Sequence, residues 1–296
     1  MILPLTLVML EEPFKSAWAN TDVFAQVRTH AANSSKENIF RQKEGRITLR
    51  TTVAGESFFL KYHQGIGWKE IFKNLFQFRT PVLGARNEYM AAMLLARVQV
   101  DTLTPVAFAA RGLNPAAQES FLITRDLAGT ISLEDYCRNW ATQKPGLRIK
   151  NALINKVAES AKRMHGSGIN HRDFYICHFL LDEQSLQRAL ATQTDKTRAN
   201  DLQKDFRCYL IDLHRCLFND AVPRRWLVKD LGGLLYSTMD LGLRPRDYYR
   251  FIKHYTGKPL AEALRDTLWR EVLVNAQALY QKDFKKPAPQ IFHPQR

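Results

Sequence analysis

The sequence predicts an α+β protein whose first part, to about residue 125, is rich in strands and whose second part is mainly helical. Apolar and polar residues alternate over residues 47–53, which is the period of a half-buried strand. In the long segment 147–165, apolar residues instead recur at helical spacing. Strand patterns dominate before residue 125 and helical patterns dominate after it. We therefore predict two lobes, 1–125 and 126–296.

The elements of the first lobe follow these patterns in order. The apolar run at residues 1–10 falls far short of the ~20 residues that span a bilayer, and we interpret it as a strand or a buried segment. An amphipathic helix is predicted at 68–78, because apolar residues recur there at i, i+3, i+4, i+7 and i+8. The other predicted elements are strands within 37–62, at 106–110 and at 121–124, and a helix at 85–97.

The second lobe is predicted to consist mainly of helices. Between two short apolar runs, segment 182–207 is polar and poor in large apolar residues, so we predict a solvent-exposed insert without an assigned role. The remaining predicted elements are helices at 133–140, at 147–165 and throughout 226–282, a loop at 171–178, and strands at 179–181 and 208–211.

The composition restricts the class of protein and of partner. Of the 296 residues, 45% are hydrophobic and 24% charged, as in a globular protein. The net charge of +14 favours an anionic partner, such as nucleic acid, an anionic membrane surface or an acidic protein. No nucleic acid is expected as a partner, because no recognition motif is present. The four cysteines form no CxxC pair, which favours a reducing compartment, and we expect a cytoplasmic protein.

Three short segments carry residues suited to phosphoryl transfer. His171-Arg172-Asp173 lies between a predicted helix and a predicted strand, and Asp212 ends another apolar strand. Lys61 lies near the end of a strand, and Glu88 lies in the first turn of a later helix. The reaction needs a base for the attacking hydroxyl, carboxylates for the metal, and a lysine that a carboxylate holds against the phosphates. Together, the segments predict a kinase.

These segments resemble those of the protein kinase superfamily, which implies a bilobal, protein-kinase-like α+β fold with ATP in the cleft. The resemblance implies that Asp173 is the catalytic base, with His171 and Arg172 beside it in the catalytic set. It also implies that Lys61 and Glu88 bind ATP. The expected cofactors are ATP and Mg²⁺.

The same resemblance implies which residues hold the metal. Asp212 takes the place of the superfamily's metal-binding aspartate, and His178 takes the place of its asparagine ligand. Imidazole is a poorer magnesium ligand than a carbonyl oxygen, so His178 is either a direct ligand or contacts metal or phosphate indirectly. Asp230 resembles the buried aspartate that supports the catalytic loop from below, and we expect it to be structural.

Longer strings resemble the bacterial lipopolysaccharide core heptose(I) kinase family over roughly residues 10–280. The strings are Phe59 to Gly65, Pro81 to Ala85, Ile131 to Cys137, Ile169 to Leu181 (INHRDFYICHFLL) and Ile211 to Arg215. The resemblance implies ATP-dependent phosphorylation of the first heptose of the inner core, at the cytoplasmic face of the inner membrane. The implied partner is the lipopolysaccharide core acceptor, and an anionic membrane surface and an acidic carrier protein are further candidates.

Several alternatives stay open at this point. The acceptor could instead be Kdo, a second heptose or a protein side chain, or the chain could be a non-catalytic kinase-like binding module. Glu37 and Glu70 compete with Glu88 as the partner of Lys61. The apolar stripe of helix 68–78 faces either the core or a membrane interface. The basic residues around the catalytic segment either bind acceptor anions or are simply solvated; they are His171, Arg172, Arg215, Arg224 and Arg225.

Overall fold

The computed structural model describes residues 7–43, 45–76, 84–192 and 199–292, which divide into two compact units. The first unit comprises residues up to 94 together with 103–128 and 213–215, and the second comprises 95–102, 129–212 and the residues from 216 onward. The first is built on a sheet and the second mainly on helices, so the α+β class is confirmed.

The described part of the first unit contains one six-stranded antiparallel sheet. Its elements, in chain order, are β1 (Leu7–Leu10), α1 (Phe14–Ala17), α2 (Val23–Asn33), β2 (Ile39–Lys43), β3 (Arg46–Val53), β4 (Glu56–His63), α3 (Gly67–Phe76), α4 (Arg86–Arg97), β5 (Pro105–Arg111) and β6 (Glu119–Arg125). The strand order is β1-β5-β6-β4-β3-β2. The predicted strands are present, whereas α1 and α2 were not predicted. The last two residues of the predicted helix 68–78 lie outside the described residues.

The two faces of this sheet pack against different elements. On one face, Phe58 of β4 packs edge-on against Phe14 of α1, with ring centroids 4.9 Å apart. Side chains alternate along a strand, so Lys61 belongs to the opposite face. Leu122 pairs with Lys61 in the sheet register and packs in a cluster with Ala85 and Tyr89 at the start of α4. The register therefore places Lys61 beside α4.

The described part of the second unit is mainly helical. Its elements are β7 (Thr130–Ser132), α5 (Leu133–Cys137), α6 (Leu147–Gly166), β8 (Ile169–Asn170), β9 (Phe179–Asp182), α7 (Glu183–Thr192), α8 (Ala199–Asp205), β10 (Cys208–Leu210), β11 (Leu217–Phe218), α9 (Arg224–Ser237), α10 (Pro245–Thr256), α11 (Leu260–Ala263) and α12 (Leu268–Phe284). The strands form two small sheets, β10-β9-β7 and β11-β8. Apolar side chains of α9, α10 and α12 form a shared core.

The prediction of a solvent-exposed insert at 182–207 is wrong. Most of the segment forms α7 and α8, and α8 packs on α6. Leu186 and Ala189 of α7, and Leu202 and Phe206 in and just after α8, are all buried. The segment has few apolar residues, but they are spaced three or four apart and so lie on one face of each helix. Residues 193–198 lie outside the described part.

Segment 226–282 is largely helical, as predicted, and glycines divide it into separate helices. Gly242 has a φ of +71°, and a Cβ there would come within 2.5 Å of the Ala141 backbone. Gly257 ends α10 with a φ of +69°, the left-handed conformation that glycine adopts at least cost. The segment therefore turns back on itself and forms separate helices.

Among the described residues, none of the helices combines the length and the apolar character needed to cross a bilayer.

Candidate active site

Lys61 and Glu88 form a close ion pair in the first unit. Lys61 Nζ lies 2.5 Å from Glu88 Oε1, and Glu88 is only 2% exposed. The rival Glu37 is exposed, and the side chain of Glu70 lies outside the described part. A charge as buried as that of Glu88 needs a partner, so the pair holds the lysine head group in one place.

Asn87, which the sequence did not single out, links α4 to the segment that follows Asp212 in the chain. Its Nδ2 donates to the His214 carbonyl over 3.0 Å, within the first unit. Because Glu88 is the next residue on α4, this bond fixes the helix turn that carries Glu88. Only the three-dimensional structure could reveal it, since 127 residues separate the two partners.

In the second unit, Asp230 of α9 holds the start of the loop after β8. The backbone N–H groups of His171 and Arg172 donate to its two carboxylate oxygens over 2.6 and 2.8 Å. Asp230 is fully buried, and His165 Nε2 lies 3.3 Å from it. Arg172 has a φ of +73°, an unfavourable conformation for a residue with a side chain. The two hydrogen bonds to Asp230 stabilise this turn.

The same face of α9 holds the far end of the loop. Ser237 lies two helical turns beyond Asp230, and its Oγ accepts a hydrogen bond from Ile176 N over 2.9 Å. Between them, Gly233 allows close approach, because a Cβ there would lie 3.1 Å from the Phe174 carbonyl. Asp173, which is half-buried, thus lies in a loop fixed at both ends.

His171 connects this loop to the strand end before Asp212. Its Nε2 donates to the Ile211 carbonyl over 2.9 Å, and the ring is fully buried. Burial lowers the pKa of His171, which therefore stays neutral near pH 7. Its catalytic role stays a prediction, but this geometry suits it to positioning the loop rather than to touching a substrate.

Asp212 and His178 lie together in the second unit, with His178 Nε2 3.6 Å from Asp212 Oδ2. His178 Nδ1 donates to the Asp173 carbonyl over 2.7 Å. Burial lowers the pKa of His178, but hydrogen bonds to Cys177 and to the Asp173 carbonyl outweigh burial and raise the pKa to about 9. Near neutral pH both ring nitrogens therefore carry protons.

The carboxylate of Asp212 fits a magnesium ion. Carboxylate oxygens are ligands that Mg²⁺ prefers, and one or two of them suffice when phosphates and water complete the octahedron. His178 would have to lose a proton from Nε2 before it could bind a metal. Nδ1 is held by the Asp173 carbonyl, so Nε2 is the nitrogen that faces Asp212, and the choice between direct and indirect contact by His178 stays a prediction. In the described part of the chain, three or more acidic, histidine or cysteine side chains nowhere converge as a metal site.

The basic residues near the loop divide into two groups. Arg224 is held by acids, with Nη2 3.1 Å from Asp266 and 2.9 Å from Glu271. By contrast, three cationic groups surround the indole of Trp226 at 5.2 to 5.3 Å from its centroid, namely those of Arg172, Arg225 and Lys229. We call these four residues the Trp226 cluster. The sequence groups Arg172 with Arg225 but does not single out Trp226 or Lys229, because Arg172 comes from a distant segment.

An apolar cavity inside the second unit is not suited to this chemistry. Its lining consists mostly of aliphatic and aromatic side chains, including Leu153, Val157, Leu234, Ile252 and Trp269. Asp247 also borders it, but its carboxylate already accepts hydrogen bonds from Lys150 and from the Arg244 backbone. Phosphates and sugars need polar partners, so this cavity is not a candidate for binding them.

The chain is similar to known kinases over most of its length. The profile of the lipopolysaccharide kinase (Kdo/WaaP) family matches residues 30–255. The lipopolysaccharide core heptose(I) kinase WaaP of Pseudomonas aeruginosa is 44% identical over 279 residues, 93% of this chain and 96% of that protein. WaaP of Escherichia coli K12 is 42% identical over 95% of this chain and 99% of that protein.

A solved structure is similar as well. It is described as WaaP in complex with acyl carrier protein, and its sequence is 40% identical to that of this chain. The match covers 93% of this chain and 99% of that one, with a TM-score of 0.73. The protein-kinase-like fold expected from the resemblance is thereby confirmed.

Proposed function

Since the chain belongs to the lipopolysaccharide kinase (Kdo/WaaP) family, we propose that it uses ATP to phosphorylate the first heptose of the lipopolysaccharide inner core. The observation that carries this proposal is the loop around Asp173, which α9 fixes at both ends through Asp230 and Ser237. A base must keep its position while the hydroxyl attacks, and a loop fixed in this way meets that need.

In this mechanism the two units act as one kinase domain. Lys61, held by Glu88, binds the α- and β-phosphates of ATP. Asp212 would hold a magnesium ion, which neutralises charge on the phosphates. Asp173 accepts the proton of the heptose hydroxyl as its oxygen attacks the γ-phosphorus in line. The bond from the γ-phosphorus to the bridging oxygen breaks, and ADP leaves.

The test is transfer of label from radiolabelled ATP to defined, truncated lipopolysaccharides. A core that ends at the first heptose should be labelled, and a core that contains only Kdo should not. Mass spectrometry of the product should place the phosphate on the heptose. Labelling of the Kdo-only core would move the proposal to a different acceptor, and labelling of neither would leave the catalytic proposal without support.

Lys61→Met is expected to lower kcat/KM for ATP by about 10- to 150-fold, because hydrogen bonds to charged groups contribute about 1.5–3 kcal/mol. The substitution also leaves Glu88 buried without its partner. The double variant Lys61→Met/Glu88→Gln removes that charge, so it should recover thermal stability without recovering activity. Lys36→Ala, at an exposed position of the same unit, is the control. Kinetics of the Lys61→Met variant close to those of the wild type would remove Lys61 from the nucleotide site.

The Trp226 cluster is suited to the anionic sugars next to the heptose. Three cationic groups gathered around one ring can bind a carboxylate or phosphate through charge-assisted hydrogen bonds. Arg172 directly precedes Asp173 in the chain, so an anion bound here lies close to the proposed base. We therefore assign acceptor binding to this cluster rather than to Arg224.

Arg225→Ala is expected to raise the KM for the acceptor roughly fivefold, because an exposed charge contact contributes up to about 1 kcal/mol. The KM for ATP and kcat should change little. Arg224→Ala is the matched control, since Arg224 is the neighbouring residue on α9 but is held by Asp266 and Glu271. Equal effects of the two substitutions on acceptor KM would argue against the cluster as the binding site.

A carrier protein is the second proposed partner. The similar solved structure is described as a complex of WaaP with acyl carrier protein, and a net charge of +14 suits an acidic protein. We expect this chain to bind such a carrier and to lose affinity as salt concentration rises. Its location at the cytoplasmic face of the inner membrane also stays a proposal, which the lipid-linked acceptor supports.

A further inference from the structure

Helix α3 presents an exposed aromatic stripe. Trp68, Phe72 and Phe76 follow one another at i, i+4 and i+8, so they lie on one face of the helix. They are 50%, 51% and 85% exposed, and the rings of Trp68 and Phe72 stack with centroids 5.8 Å apart. Ile71, by contrast, is 5% exposed. The helix thus buries Ile71 and leaves its large aromatic residues in solvent.

This arrangement excludes the core-facing alternative for Trp68, Phe72 and Phe76. If the aromatic stripe faced the core, Trp68 and Phe72 would be buried as Ile71 is. A contiguous exposed aromatic surface is uncommon on a protein without a partner, and it marks a binding surface. We call Trp68, Phe72 and Phe76 the α3 stripe.

The residues beside the stripe indicate what binds it. Lys69 and Lys73 are exposed and directly follow Trp68 and Phe72 in the sequence. On an amphipathic helix, lysines at the border of an aromatic face reach lipid head groups while the aromatic rings enter the acyl boundary. Tryptophan in particular favours that interface. We propose that α3 lies in the interface of an anionic bilayer and holds the enzyme at the membrane.

The helix is fixed at its start to the loop between β5 and β6, so the stripe has a defined direction. Gly67 N donates to the Ala116 carbonyl over 2.9 Å. Gly65, with a φ of +84°, lies so close to this loop that a Cβ would come within 2.7 Å of the same carbonyl. The loop also carries Leu113, which is 72% exposed. Membrane contact through α3 would therefore orient the whole first unit.

A bilayer suits this surface better than the other occupants. A second copy of the chain also carries a net charge of +14, and the repulsion between the two positively charged copies would oppose a dimer. An acidic carrier protein would attract the lysines but offers no apolar layer into which three aromatic rings could insert. The inference rests on the proposed function in one respect, namely that a lipid-linked acceptor requires the enzyme to work at a membrane.

The test is flotation of the full-length protein with vesicles of phosphatidylcholine alone or with one quarter phosphatidylglycerol. The wild type should bind the anionic vesicles, and Trp68→Ala/Phe72→Ala/Phe76→Ala should weaken this binding at least about tenfold. Lys69→Glu/Lys73→Glu should also weaken it at least about tenfold. The control Leu147→Ser/Val274→Ser removes exposed apolar side chains of the second unit and should stay within about twofold of the wild type.

Tryptophan quenching by brominated lipids provides a second measurement. Trp68 should account for the quenching, so Trp68→Phe should abolish most of it while vesicle binding persists. Binding of the stripe variant within twofold of the wild type would overturn the proposal. Loss of carrier binding or of self-association, with vesicle binding unchanged, would overturn it in favour of that other occupant.

Failure here can be told apart from failure of the proposed function. The stripe variant should phosphorylate a water-soluble, delipidated heptose acceptor as the wild type does, and should lose activity on acceptor embedded in vesicles. If the wild type phosphorylates neither acceptor but α3 still directs vesicle binding, the proposed acceptor is wrong and the membrane surface stands. If the variant works equally well on both acceptors, the membrane surface is wrong and the kinase assignment stands.

Discussion

Asp173→Asn is expected to lower kcat by about 10²- to 10⁴-fold, which is the usual contribution of a positioned general base. Asparagine keeps the shape of the side chain but cannot accept the proton of the attacking hydroxyl. The loop should remain in place, because its fixed points are the backbone groups that bond to Asp230 and Ser237. KM for ATP should therefore change little, which distinguishes this variant from Lys61→Met.

Single-turnover transfer of radiolabel to the heptose acceptor measures the effect on the chemical step. Asp201→Asn, on the exposed side of α8, serves as the control and should behave as the wild type. Retention of more than about a tenth of the wild-type rate by Asp173→Asn would show that another group accepts the proton. Circular dichroism and the urea midpoint should match those of the wild type, so that lost activity cannot be attributed to unfolding.

The sequence was sufficient to predict the strands of the first unit and, through the resemblance, the pairing of Lys61 with Glu88, but not to exclude the rival partners of Lys61. Alternation predicts that Lys61 lies on one face of β4, yet the choice of Glu88 depends on the sheet register. That register places Leu122 opposite Lys61, and Leu122 packs with residues at the start of α4. A period of two residues within one strand carries no information about its neighbours, so Glu37 and Glu70 could not be excluded.

Other features could not be predicted because their parts are far apart in the chain. The Trp226 cluster combines α9 with Arg172, and Asn87 bonds to a carbonyl 127 residues away. The error at 182–207 has a different cause. There the low fraction of apolar residues predicts exposure, whereas their spacing, with Leu202 and Phe206 at helical distance, predicts a buried helical face.

Asp230→Ala is expected to lower the free energy of unfolding by about 2–6 kcal/mol and to abolish activity. The substitution leaves the buried N–H groups of His171 and Arg172 without acceptors, and each orphaned group costs about 1–3 kcal/mol. Arg172 has a positive φ that these two bonds stabilise, so the loop should relax to a more favourable conformation and displace Asp173. One substitution at a residue that touches no substrate should thus remove both stability and catalysis.

Asp230→Asn separates these two effects. The amide can still accept at one oxygen, but its NH₂ group faces a second N–H donor, so stability should lie between that of the wild type and that of Asp230→Ala. Urea unfolding gives the free energies, and Asp201→Ala, which removes an exposed carboxylate of the same unit, should cost no more than about 1 kcal/mol. If Asp230→Ala unfolded like the wild type and kept its activity, the loop would have to be held by its other contacts. The position of the base would then depend on Ser237 and on the bond from His171 to Ile211, rather than on the buried carboxylate.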